Sequence, residues 1–282
     1  MEEKRPMAKI AKRTGTYVEV APGVDIYCED EGEGQALVFI PGWTFTTKVF
    51  DHQFAAFSKS HRVISFDPRS HGRSTVTSDG NNYATHAVDL AKILEYLSVE
   101  NPVIVGWSAG SLTSWHYVRD QGTNGVRGLV SVDMPPLGMS YDPLDWVEGT
   151  IPDLARFYRG AHTAQGQRGV ITSYADQVMI EQDMSPELTA WIVEQSLGTP
   201  PLIAANLFAD VCFANYLEEA KKVDAETASL FCVASHWAET AKPFLAKHCP
   251  KSRVEAFGGH MMFWEYPEKF NALLAEFLSS ID

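Results

Sequence analysis

Residues 101–121 read NPVIVGWSAGSLTSWHYVRDQ. The first third, NPVIVGW, is a short continuous apolar run opened by Asn101-Pro102, the pattern of a strand buried on both faces. From Ala109 to Gln121 the apolar residues recur at helical spacing. Between the two halves stands Gly106-Trp107-Ser108-Ala109-Gly110. A Gly-x-Ser-x-Gly turn leading from a buried strand into a helix lets the chain bend sharply, because its small residues tolerate close approach. The bend lifts the serine hydroxyl above the edge of the sheet, where it is free to react. The plainer alternative is an ordinary strand-to-helix turn with Ser108 as the helix N-cap.

The same alternation extends in both directions. ALVFI (Ala36 to Ile40) and HRVISFD (His61 to Asp67) precede it as strands, and Ala84 to Leu97 has helical spacing. RGLVSVD (Arg127 to Asp133) follows as a strand. ASLFCVAS (Ala228 to Ser235), a helix from Ala238 to His248, SRVEAF (Ser252 to Phe257) and a helix from Pro267 to Leu278 resume the pattern later. Upstream, TYVEVAPGVDIYCEDEGEG reads as two strands about a Pro22-Gly23 turn. Alternating strands and helices imply an α/β protein with a mostly parallel sheet covered on both faces. The N-terminal pair is expected as an antiparallel edge. Residues 138–222 interrupt the alternation with helix formers and aromatics, and read as a helical cap inserted into a core of residues 15–137 and 223–282. The first fourteen residues read as a flexible arm.

A serine hydroxyl is a weak nucleophile at neutral pH and needs a base. Of nine histidines, His260 is best placed. It follows Gly258-Gly259 after the last strand, where two glycines let the loop turn back to the carboxyl edge of the sheet. His71 reads as structural, and His86 and His116 lie within helical patterns. His236 follows a strand end and is expected to line the pocket. An acid should orient the imidazole. Asp133 ends its strand at the carboxyl edge and is the first choice. Glu239 is the second, and Asp224 precedes its strand, at the wrong end. Two backbone N–H groups should stabilise an oxyanion. The expected donors are Ala109, after the nucleophile, and Trp43, in the loop after Ala36–Ile40.

The bulk numbers narrow the partners. The net charge of -13 argues against nucleic acid or an anionic membrane, which need clustered Lys and Arg, and disfavours anionic substrates. Hydrophobic residues at 45% and charged residues at 21% supply an ordinary globular core. Cys28, Cys212, Cys232 and Cys249 are scattered, without zinc or disulfide-framework spacing. No secretory leader is read at the N-terminus, and no apolar run reaches the length of about 18 residues that spans a bilayer. A cytoplasmic enzyme acting on a small molecule, monomeric or a homo-oligomer, is the expectation.

The segments FIPGWTFTTKVF, SFDPRSHGRST, IVGWSAGS, VSVDMPP and FGGHMMFWEYPEKFNALL together resemble the α/β-hydrolase superfamily over nearly the whole chain. The resemblance implies an eight-stranded, mostly parallel sheet, an inserted cap, no metal and no organic cofactor. Serine at the elbow disfavours the branches that use a carboxylate nucleophile. The reading that follows is a serine esterase or lactonase working through an acyl-enzyme, with Ser108, His260 and Asp133 as its triad. Phe45, Trp107, Phe157, His236, Met261 and Phe263 are expected to shape the pocket for a bulky apolar substrate. A narrower resemblance is to the cofactor-free dioxygenases of 3-hydroxy-4-quinolones, through the acid at Asp133, the Pro41-Gly42-Trp43 loop and Trp146-x-Glu148-Gly149-Thr150. It implies a His260/Asp133 dyad that deprotonates a heteroaromatic substrate. That family carries histidines where this chain has Phe45 and Trp107. A third alternative is a non-catalytic small-molecule receptor.

Overall fold

The apolar runs of the sequence lie side by side in one sheet. The computed structural model describes residues 13–281. Its strands are β1 (Gly15–Ala21), β2 (Val24–Glu31), β3 (Ala36–Ile40), β4 (Arg62–Phe66), β5 (Val103–Trp107), β6 (Gly128–Val132), β7 (Ala228–Val233) and β8 (Arg253–Ala256). They form an eight-stranded sheet in the order β1-β2-β4-β3-β5-β6-β7-β8. β1 and β2 pair antiparallel about Pro22-Gly23, and β2 meets β4 antiparallel. Every pairing from β4 to β8 is parallel. All residues of β3, β5 and β6 are buried, as expected of central strands covered on both faces.

Successive side chains of a strand point to opposite faces, and the core divides accordingly. Val103, Val105 and Trp107 pack on one face with Phe50, Phe54, Phe270 and Leu274. Ile104 packs on the other with Leu90, Ile93 and Leu94. The helices that deliver these residues are α1 (Asp51–Phe57), α2 (Tyr83–Tyr96) and α11 (Pro267–Ser280), and α3 (Gly110–Gln121) leaves β5 directly. The sequence reading did not mark α1 or the short 3-10 turn Thr47–Phe50 before it. Both are too short to show a periodicity.

Between β6 and β7 run α4 (Ile151–Ala161), α5 (Ala164–Tyr174), α6 (Pro186–Ser196) and α7 (Pro201–Cys212), with a π-helical turn Ala175–Met179 after α5. Local sequence starts three of them. Thr150, Thr163 and Ser185 accept hydrogen bonds from the N–H groups of Asp153, Gly166 and Leu188, filling orphan donors of the first turn. Pro152, Pro186 and Pro201 lie in first turns, where a missing N–H costs nothing. α8 (Leu217–Glu226) runs across the boundary expected at residues 222/223. Its Ala220 and Val223 pack with Trp115 and Leu129 of the sheet layer. α9 (Ala238–His248) and the one-turn α10 (Met262–Glu265) complete the chain before α11.

Residues 1–12 of the expected arm lie outside the described residues. Arg13 departs from that expectation: its guanidinium bonds Glu29 at 2.7 Å, pairs with Asp51 and covers the Phe54 ring. Among the described residues no helix is long and apolar enough to cross a membrane.

Candidate active site

Parallel strands bring their carboxyl ends to one edge, so loops that are distant in sequence meet there. The turn after β5 carries Ser108 at φ 52°, in the left-handed region that non-glycine residues rarely occupy. Its neighbours must be glycine. A Cβ on Gly106 would lie 2.6 Å from the Ser111 nitrogen, and one on Gly110 2.3 Å from the Ile40 carbonyl oxygen. The Ser108 N–H donates to the Val132 carbonyl at 2.8 Å, which pins the turn to β6. Asp133 repeats the device one strand over. It sits at φ 51°, and its N–H donates to the Cys232 carbonyl at 2.7 Å.

Asp133 is buried, and both carboxylate oxygens are engaged. Oδ1 accepts from the Ala234 N–H at 2.7 Å and Oδ2 from His260 Nδ1 at 2.6 Å. This fixes the imidazole as the tautomer protonated at Nδ1, leaving Nε2 to accept a proton. The backbone of His260 is held as well: its N–H donates to the Val178 carbonyl at 3.0 Å, and its carbonyl accepts from Trp107 Nε1 at 2.8 Å. Glu239, the second choice of acid, lies in the first turn of α9. Asp224 accepts from the N–H groups of Lys251 and Ser252 and closes the turn into β8.

Ser108 and His260 line one cavity of ≈ 140 Å³, together with Trp43, Phe45, Trp107 and Phe157. The Ser108 side chain is partly exposed to it and makes no hydrogen bond to the ring or to any other described residue. The loop after β3 closes over the serine: a Cβ on Gly42 would lie 2.9 Å from the Ser108 Cβ. In that loop the Thr44 N–H is used by His71 Nε2 at 3.0 Å and the Phe45 N–H by the Gly42 carbonyl at 3.1 Å. Among the described residues the N–H groups of Trp43 and Ala109 have no acceptor, and both residues line the cavity. His71 is a prop for this loop. Its Nδ1 donates to the Arg69 carbonyl at 2.8 Å, so Nε2 is the acceptor for Thr44. Burial pushes its pKa down to about 4, which keeps the ring neutral.

Three expected pocket residues lie elsewhere. Met261 and Phe263 are fully buried in the core beneath the site. Phe263 packs edge-on against Trp107 at 5.1 Å and supports the cavity wall without lining it. The turn that presents His260 sends the next residues inward, so adjacency in sequence did not mean a shared surface. His236 is exposed and lines a separate polar cavity with Asp176, Glu181 and Gly259, behind the His260 loop.

The cap contributes two polar groups that the sequence reading did not assign to the site. Glu148 and Tyr174 both line the cavity. The Tyr174 ring stands edge-on to His260 at 5.5 Å. Burial drives the Glu148 carboxyl up to about 7, with nearby His260 lowering and Asp133 raising it. Nothing in local sequence marks a single acid in a loop as facing a cavity.

A family model described as alpha/beta hydrolase fold matches residues 35–267. The chain belongs to the alpha/beta hydrolase fold family. Within it, the chain is 24% identical to the AB hydrolase superfamily protein YisY of Bacillus subtilis, over 94% of this chain and 100% of that protein. It is 38% identical to the bifunctional esterase/perhydrolase DCH of Acinetobacter calcoaceticus, over 43% of this chain and 45% of that protein. Among solved structures, an esterase from Exiguobacterium antarcticum superposes with a TM-score of 0.85 at 21% identity, covering 94% of this chain and 100% of that one. That last likeness speaks for the family's fold.

Proposed function

We propose that this chain is a serine hydrolase that cleaves a carboxylic ester or lactone. The observation that carries the reading is Ser108, held at φ 52° on its turn and open to the cavity shared with His260, whose Nδ1 is bonded to Asp133 at 2.6 Å. Ser108 Oγ attacks the carbonyl carbon while His260 Nε2 takes its proton. The oxyanion is bound by the unpaired N–H groups of Trp43 and Ala109. The tetrahedral intermediate collapses as His260 protonates the leaving alkoxide, giving an acyl-enzyme. Water, deprotonated by the same Nε2, then releases the acid. Asp133 holds the ring and stabilises its protonated form. The cavity is lined mainly by apolar and aromatic residues, which supports an ester or lactone with apolar groups beside the carbonyl.

Labelling with a fluorophosphonate tests the reading. The expected result is stoichiometric labelling of the wild type and none of Ser108→Ala, with p-nitrophenyl acetate turned over by the first alone. Folded wild-type protein that neither labels nor hydrolyses would overturn it. One observation favours a second reading. The His260–Asp133 pair is complete without Ser108, whose hydroxyl makes no bond to the ring, so the dyad could deprotonate a heteroaromatic ligand directly. Under that reading, oxygen uptake with a 3-hydroxy-4-quinolone survives Ser108→Ala and is lost in His260→Ala.

A further inference from the structure

Two carboxyls of the cavity, Glu148 and Asp153, take no part in the proposed hydrolysis. Glu148 lines the cavity, and among the described residues its side chain makes no hydrogen bond and no ion pair. The loop that carries it is fixed at both ends: Val147 bridges to Leu137, and Thr150 caps α4. A carboxyl among apolar walls either takes up a proton, as the rise to about 7 shows here, or is stabilised as the anion by a cation. No Lys or Arg lines the cavity, and His260 is already committed to Asp133. A cation to pair with the ionised carboxyl would therefore come with the ligand.

The walls around Glu148 narrow what that partner is. Trp43 meets Phe157 at 5.4 Å and Phe208 at 5.7 Å, Phe157 stacks on Phe208 at 3.9 Å, and Tyr174 meets Phe157 edge-on at 6.3 Å. All four rings line the same cavity as the carboxyl. The faces of aromatic rings are negative and attract a desolvated cation. Asp153, also on the cavity wall, is engaged with Thr150 and Arg156 at the exposed start of α4. The net charge of -13 adds a field that draws cations in.

We infer that Glu148 with Trp43, Phe157, Phe208 and Tyr174 forms a subsite for a cationic ammonium group carried by the ester substrate. The inference rests on the hydrolase reading for the ester and on the cavity alone for the cation. A neutral apolar substrate leaves the carboxyl unpaired, and an anionic one is repelled by it.

Acetylcholine and 3,3-dimethylbutyl acetate differ only by nitrogen against carbon at the branched end, so they test the charge alone. The wild type at pH 8 is expected to favour the cationic ester in kcat/KM by about tenfold or more, the scale of a desolvated cation–π contact with an ion pair added. In Glu148→Gln the ratio falls towards one, and Glu148→Asp restores part of it. The ratio should also rise with pH through about 7, where Glu148 ionises, since choline's charge does not titrate. The other groups that feel Glu148 are His260, Asp133, Tyr174, Cys212 and Tyr83. Of these, a titration of His260 affects both esters alike and cancels in the ratio. Choline binding to Ser108→Ala, read by tryptophan fluorescence, is independent of hydrolysis. Choline bound with neither ester cleaved keeps the cation subsite and removes the hydrolase reading. The neutral ester cleaved at a ratio of one or less, with no choline bound, removes the subsite and keeps the hydrolase.

Discussion

Asp133 receives two N–H donors, one from the imidazole of His260 and one from the backbone of Ala234. The second bond orients the carboxylate, so that Oδ2 is left for the ring. Replacing Asp133 by Asn puts an amide donor opposite Nδ1 or turns the amide away from Ala234. The first arrangement disfavours the tautomer needed at Nε2, and the second sets an amide N–H against the Ala234 N–H. Ester turnover by Asp133→Asn is expected to fall by about a thousandfold or more, with the protein still folded. Glu239→Gln should stay close to wild type, and near-full activity in Asp133→Asn would remove the assigned acid. Ser108, Asp133 and His260 were legible in the sequence because each ends a strand or follows a glycine pair at a strand end. There, topology alone fixes which edge of the sheet they occupy. Glu148 and Tyr174 were not, since they reach the cavity through the fold of the cap, which no periodicity encodes. Met261 and Phe263 were misplaced for a related reason: the direction of a side chain just after a tight loop depends on how that loop is anchored.

The anchoring of the His260 loop is a property of elements. The π-helical turn after α5 offers the carbonyls of Val178 and Met179, which accept from the N–H groups of His260 and Met261 at 3.0 and 2.7 Å. One carboxylate in α10 spans the same junction. Glu265 Oε2 accepts from Gly259, and Oε1 from Glu181 and Gln182, all within 2.9 Å. The cap and the His260 loop are thus tied through five hydrogen bonds, three of them to a charged acceptor, the stronger class. Glu265→Ala removes those three. It is expected to lower kcat by about tenfold, as small displacements of a positioned base do. Amide hydrogen exchange at Gly259, Glu181 and Gln182 should accelerate, and unchanged exchange there would show that Glu265 holds nothing. The turn into α3 is anchored by the Ser108–Val132 bond and also by close contact. Gly110→Ala drives a methyl group against the Ile40 carbonyl 2.3 Å away. A loss of about 1–3 kcal/mol in urea unfolding is expected, the usual cost of overpacking. Both elements of this junction were partly readable. The Gly-x-Ser-x-Gly turn announces close packing, whereas a glutamate one helical turn past His260 looks like any solvated acid.

At the scale of the whole molecule, two buried histidines set how the protein responds to acid. His71 is held neutral under the Thr44 loop, its pKa pushed down to about 4 by burial. His86, 5.9 Å away ring to ring, is lowered well below its ordinary value, by burial first and by the neighbouring His71 and Arg69 after it. In the unfolded chain both would titrate near 6.5. Below that value the unfolded state takes up protons that the native state refuses, so stability present above pH 6.5 is lost as pH falls towards 4. For His71 alone the shift is worth on the order of 3 kcal/mol. Glu148 works in the opposite sense: raised to about 7, it stabilises below its unfolded value and costs stability as pH rises through 7. The net charge of -13 also shrinks on acidification, which relieves self-repulsion. The histidines outweigh both, because they are two groups fully enclosed in the core layer, while Glu148 faces a cavity that admits water. Urea unfolding at pH 7, 6, 5 and 4.5 should therefore show a steady fall in stability. His71→Gln, which keeps an acceptor for the Thr44 N–H, should flatten that fall. Protonating His71 also turns Nε2 from acceptor to donor, so the Thr44 loop loses its prop before the fold is lost. Ester turnover is expected to fail at a higher pH than the unfolding transition. Activity and stability lost together, or an acid limb unchanged in His71→Gln, would show that His71 is not the group that couples them.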